Sequence, residues 1–211
     1  MIQTLKANKV TLADLKEQFS LTVSREPQFF PEWQSALDSD HLPAADIEAL
    51  ERVKSNFENL LEEPPLLEGA VKMVVLSRLL DLGGFYQPPF RIKTEREISI
   101  ASPDPEAEVL VKGAIDVLVI MGMLWILVIE SKMSDFSLTK ALPQALSYML
   151  ANSSPISFGM ITNGSDFVFL KLNREETPCY STSRVFSLLT PGNELVDVLR
   201  ILKYLGRLIA S

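Results

Sequence analysis

Cysteine and histidine are almost missing from this chain: Cys179 and His41 each stand alone. A lone cysteine excludes an intrachain disulfide, and neither residue has a partner at zinc-ligand or nucleophile spacing. His41 and Cys179 are expected to be structural or incidental. Long apolar runs are missing too. The longest, Val117 to Ile129, contains Gly122, ends at Glu130, and is too short and too β-rich to span a bilayer. The first residues, MIQTLKANKVTLADLKEQF, lack the apolar core and small-residue cleavage site of a secretory signal, so a cytoplasmic protein with no membrane attachment is expected. An excess of basic charge is the third absence. The net charge is −7 and the pI is near 4.9, which disfavours binding nucleic acid over a broad electrostatic surface. The imbalance is local, however: residues 1 to 65 hold 12 acidic against 6 basic side chains, and residues 66 to 211 hold 15 against 14.

What the chain does have is apolar content. Of its 211 residues, 47% are hydrophobic, enough for a substantial core in one domain with an extension. Residues 1 to 65 read as a helical extension: Leu12 to Phe19, a proline-broken stretch, then Ala44 to Leu61, where Ile47, Leu50, Val53, Phe57, Leu60 and Leu61 recur at helical spacing. Residues 66 to 211 read as the core. Leu66 to Leu82 is apolar nearly all round and stops at Gly83 and Gly84, as a buried helix would. The period then changes to two. Phe90 to Ile100 alternates as a half-exposed strand, Ser102 to Pro105 makes a turn, and Val109 to Met121 and Leu124 to Ile129 form two central strands joined tightly at Gly122, with Met121, Met123 and Trp125 in the core. A helix over Ser137 to Ala151, a strand over Ser157 to Thr162, a turn at Asn163 and Gly164, a returning strand over Phe167 to Leu172 and a closing helix over Glu194 to Ile209 complete the order. The expected class is α/β or α+β, with a mixed central sheet of four to five strands flanked by helices.

Two of these apolar strands each deliver an acid: Asp116 in one and Glu130 at the end of the next, with Lys132 two residues on. In an extended chain Glu130 and Lys132 share a face, and the hairpin brings Asp116 beside them. Two buried carboxylates repel and raise each other's pKa. A divalent cation resolves the conflict, and Mg²⁺ accepts two carboxylates plus a carbonyl, here that of Ser131, while keeping positions for water and phosphate oxygen. Lys132 would then orient the attacking water and face the phosphorane's charge.

These residues give the chain a resemblance to the PD-(D/E)XK nuclease superfamily, and within it to the N-terminal nuclease domain of type I restriction enzyme motor subunits. The matching pieces are Glu68, Gly113-Ala-Ile-Asp116, Glu130-Ser-Lys132, Gln144 and Tyr148, and Ile161-Thr-Asn-Gly164, across residues 66 to 172. The resemblance implies a restriction-endonuclease-like core and Mg²⁺- or Mn²⁺-dependent cleavage of DNA. It also implies Asp116 and Glu130 as metal ligands, Glu68 as an auxiliary acid, Lys132 as the catalytic lysine, and Gln144 and Tyr148 as DNA-facing or site-supporting groups. Gly-Ala-Ile-Asp replaces the Pro-Asp that names the superfamily. No motor or Walker loop follows, so no nucleotide cofactor is implied.

Arg91, Lys93 and Arg96, with Lys140, Lys171 and Arg174, are further candidates for phosphate contacts. The residues leave competing roles open: a salt bridge at a sheet edge for the Asp116 trio, a helix-dipole partner for Glu68, a core residue with a wet hydroxyl for Tyr148. The leading expectation is a Mg²⁺-dependent nuclease of restriction or repair type. The alternative is a catalytically inactive module of the same fold acting in nucleic-acid binding or in assembly, with a second copy or a partner subunit meeting the acidic N-terminal segment.

Overall fold

The computed structural model describes residues 3–38, 41–102, 109–121 and 124–210, with side chains throughout except those of Gln3, 124–128 and Ala210. The expected turns at Pro103 to Pro105 and Gly122, and the core positions of Met123 and Trp125, lie outside the described residues or side chains.

In chain order the elements are β1 (Gln3–Lys6), α1 (Leu12–Phe19), β2 (Thr22–Val23), α2 (Glu32–Leu37), α3 (Ala44–Leu60), α4 (Glu68–Val71), a π-helical turn (Lys72–Leu76), α5 (Ser77–Leu82), β3 (Phe90–Ala101), β4 (Val109–Met121), β5 (Leu124–Ser131), α6 (Leu138–Leu150), β6 (Ile156–Thr162), β7 (Asp166–Asn173), β8 (Cys179–Thr182), β9 (Phe186–Ser187) and α7 (Leu195–Ala210). Local chemistry sets several of these boundaries. Thr11 and Asp14 form a reciprocal capping box that starts α1. Gly164, at φ 92°, turns β6 into β7, and the Asn163 side-chain oxygen accepts from the backbone N–H groups of Ser165 and Asp166 to hold that turn.

Among the described residues the strands form one mixed, nine-stranded sheet in the order β1-β4-β5-β6-β7-β8-β2, with β3 on β4 and β9 on β7. Four to five strands were expected. The count rises because β1, β2, β8 and β9 are only two to four residues long, too short to show a period. Two of them lie in the segment expected to be wholly helical: β1 runs parallel to β4, and β2 parallel to β8.

Helices cover both faces. On β7, Phe167 and Phe169 enter one core with residues of α3, α5 and α7, while Val168 and Leu170 enter the other with residues of α1 and α6. This is the two-residue alternation of a strand buried on both sides. The broad apolar stripes of α6 and α7 fit the same plan.

One irregularity of the sheet shapes the candidate site. β3 pairs along nearly the whole of β4, so β1 and β5 must share the other edge; β1 ends opposite Lys112, and β5 pairs only from Val117 onward. On that edge, residues 113–116 of β4 face a gap between two diverging strands.

Candidate functional site

Gly113 lies at the start of the gap, and its missing side chain is what lets a helix reach in. A Cβ there would stand 2.6 Å from Ala7 Cβ and 2.8 Å from the Tyr148 hydroxyl. Tyr148, on α6, is buried to 1% exposure. Its hydroxyl accepts from Gln144 Nε2 at 2.8 Å and meets the Ala114 backbone. Burial, then the nearby Glu130 charge, push the phenol pKa up. Tyr148 and Gln144 are thus brought together, one helical turn apart, beside Gly113. Gly113→Ala should cost about 2 kcal/mol, since tightly packed backbone must shift to admit even one methyl; urea unfolding checks this, and an unchanged midpoint would contradict the close approach.

Asp116 lies at the far end of the gap. Its Oδ2 accepts the Ser131 N–H at 2.7 Å, and its Oδ1 accepts from Lys72 Nζ at 3.0 Å. Burial raises its pKa, the Ser131 N–H and Lys72 oppose that, and Glu68 adds repulsion; the net direction is upward. Glu130 is fully buried. One of its oxygens meets Lys132 Nζ, and the other, Oε2, is buried without a hydrogen-bond partner among the described residues. Burial first, then Asp116, push Glu130 to a pKa of about 8 despite the opposing pull of Lys132. The pairing of Glu130 with Lys132 agrees with the shared face expected of residues two apart.

The loop carrying Lys132 is tied down on three sides. The Lys132 N–H donates to Thr162 O at 2.8 Å, its ammonium lies 5.8 Å from the Phe136 ring centre, and the Phe136 carbonyl accepts from Asn163 Nδ2. Leu66 and Ser134 exchange two hydrogen bonds, which lock this loop to the start of α4 and hence to Glu68.

Sequence reasoning missed two contributors. Lys72 is the larger: its ammonium contacts Glu68, Glu95 and Asp116. Burial disfavours its charge, but the hydrogen bonds to Glu68 and Asp116, reinforced by their charges, hold its pKa above the ordinary range. The four-residue spacing from Glu68 was the available signal. Glu95 gave none, because its left-handed backbone at φ 51° breaks the alternation of β3. Ser131, expected to offer its carbonyl to a cation, also gives its N–H to Asp116.

Glu68 reaches the acidic pair through Lys72. Arg91, Lys93 and Lys140 are exposed and take no part in these contacts. Lys171 is committed to Glu32 at 2.5 Å, and Arg174 donates to the carbonyls of Leu150, Asn152 and Ser154. Beside the gap runs a groove of about 840 Å³ lined by Lys6, Glu97, Lys112, Gly113, Gln144 and Tyr148, among others. Lys6 and Lys112 are exposed there and stand directly opposite each other on adjacent strands.

No family model matches the chain, and no curated protein is similar to it in sequence. Its chemistry must therefore be argued from these side chains. Among the described residues, no three histidine, cysteine or carboxylate groups converge tightly enough to hold a metal between them. Two carboxylates suffice for Mg²⁺, which keeps several waters, and the partnerless Glu130 Oε2 is a desolvated hard oxygen of the kind that ion takes. The pair fits such a cation. No described helix is long and apolar enough to cross a membrane.

Proposed function

We propose that this protein is a nuclease dependent on Mg²⁺ or Mn²⁺, with a restriction-endonuclease-like core, that hydrolyses phosphodiester bonds of DNA in restriction or repair. The observation that carries this reading is the pairing of a fully buried Glu130 with Lys132, alongside a second buried carboxylate, Asp116, at a gap in the sheet. A structural ion pair needs no second acid, and burying one beside the pair is costly. Asp116 and Glu130 would hold the cation, with Glu68 in support. When bound, the cation supplies Lewis-acid polarisation and a more acidic water.

The chain's own groups do the rest. Lys132, held against Glu130, presents its ammonium where an attacking water and a phosphate oxygen would meet. Gln144 and Tyr148 fix the backbone at Gly113 and Ala114, and so the position of Asp116 two residues on. The facing Lys6 and Lys112 place two positive charges side by side, which suits a nucleic-acid backbone in the adjoining groove; Lys140, Arg91 and Lys93 would contact phosphates farther out.

The test is cleavage of supercoiled plasmid and of labelled duplex, single-stranded DNA and RNA. Cleavage should appear with Mg²⁺ or Mn²⁺ and stop with chelator. Metal-independent cleavage, or none on any substrate, would remove this reading.

One observation favours a second reading, an inactive module of this fold that binds a partner or a second copy: the Lys72 ammonium already offsets charge on Glu68 and Asp116. Calorimetry showing no binding at millimolar Mg²⁺ or Mn²⁺, with a stable oligomer in light scattering, would support it.

A further inference from the structure

Lys72 is placed with more care than a helix-surface ion pair requires. Its ammonium lies 2.7 Å from Glu68, 3.0 Å from Asp116 and 3.3 Å from Glu95. Glu68 is one helical turn away, and that contact alone would be an ordinary surface pair. Asp116 and Glu95 are different: both lie on the sheet, on neighbouring strands, and the contact of Lys72 with Glu95 joins two residues at departures from regular backbone. Glu95 adopts φ 51°, a conformation non-glycine residues avoid. Lys72 opens a π-helical turn between α4 and α5; such turns are rare and concentrate at functional sites. Two independent distortions thus converge on one contact.

We propose that Lys72 is a resident counter-ion of the site, an attached cation that holds Asp116 in place when no metal is present and must release it before a divalent cation can be held there. The inference rests on the metal-dependent reading above and adds a competition inside it. Asp116 Oδ2 is already engaged by the Ser131 N–H, which leaves Oδ1, the oxygen Lys72 occupies, as the free ligand position. An ammonium and a divalent cation cannot share that position without strong repulsion. Glu68 and Glu95 keep Lys72 nearby once released, so the exchange is reversible and lowers the apparent metal affinity, since only the released fraction binds.

Calorimetric titration of Mn²⁺ into the full chain, the Lys72→Met variant and the Asp116→Asn variant tests this, with thermal melts in chelator and in Mn²⁺ alongside. Lys72→Met should bind Mn²⁺ about tenfold or more tightly than the parent, melt lower in chelator and gain more from Mn²⁺. If Lys72→Met does not fold in either condition, Lys72→Gln, which keeps most of the stem without the charge, takes its place with the same expectation. Binding that Asp116→Asn abolishes but the Lys72 variant leaves equal or weaker overturns the competition and spares the nuclease reading. Absence of binding in all three proteins overturns both.

Discussion

A Lys132→Ala variant should lose at least ~10²- to 10³-fold of its Mg²⁺-dependent cleavage while keeping the circular dichroism spectrum and melting temperature of a folded chain, and Asp116→Ala should lose as much. The two side chains act on different parts of the same event. Lys132 is fixed by Glu130, by its backbone bond to Thr162 and by the Phe136 ring. A cation held on three sides in this way contributes without reorganising as charge develops, which is where preorganised groups have their largest effect. Asp116 is oriented by the Ser131 N–H and Lys72, and its loss removes half of the carboxylate pair. Lys132→Arg separates charge from shape: it keeps the charge but has a broader, planar head, so it should recover little activity. Cleavage rates with supercoiled plasmid decide the matter. Undiminished cleavage in folded Lys132→Ala and Asp116→Ala would sink the site assignment.

The second large effect is on stability and depends on pH. Glu130 is pushed from its ordinary value of 4.5 to about 8, mainly by burial and then by Asp116. Below pH 4.5 the carboxyl is protonated whether folded or not, and its burial carries no ionisation penalty. Between about 4.5 and 8 the unfolded chain loses the proton while the folded chain keeps it, so stability falls as pH rises. Above about 8 the group is ionised in both states and the full penalty remains. Glu130→Gln removes that penalty while keeping the shape. The variant should therefore be more stable than the parent by about 2 kcal/mol or more at pH 8, with the margin shrinking towards pH 5. Urea unfolding at both pH values measures it in the presence of chelator. A margin that stays flat or grows on acidification would contradict the assignment. Stabilisation on removing a buried acid is the pattern expected where residues are kept for a task other than holding the fold.

The long elements were legible because each carries its own period. β4, α1 and α6 fall within a residue of the expected ranges, and β7 shows its alternation in four consecutive core residues. The two-residue offset of Glu130 and Lys132 was enough to predict that they meet. What stayed hidden depends on contacts between distant segments. β1 and β8 exist because β4 and β7 offer them an edge, and nothing within four residues announces that. The use of Gly113 was equally opaque, since its meaning lies in a tyrosine thirty-five positions away across the gap. Lys72 was hidden for another reason: an acid four residues before a lysine on a helix has an ordinary explanation, and only the third dimension supplies Asp116 and Glu95.

The sheet order has a consequence for assembly of the fold. β1 and β2 are separated only by a 3-10 turn (Ala7–Lys9) and α1, yet they occupy the two ends of the strand order, β1 on β4 and β2 beyond β8. Residues 3–23 therefore act as a strap drawn beneath α6, with Leu15, Phe19 and Leu21 in the same core as Tyr148 and Met149, and fastened at each end by a few backbone hydrogen bonds. Neither fastening can close until strands far along the chain are in place, Val109 for one and Cys179 for the other. Such distant pairings form late. Until then, the outer side of β8 and the 109–112 stretch of β4 lie open to any passing strand, and the wall of the groove at Ala7 is absent. The last segment to dock completes both the protection of the sheet and one side of its candidate site.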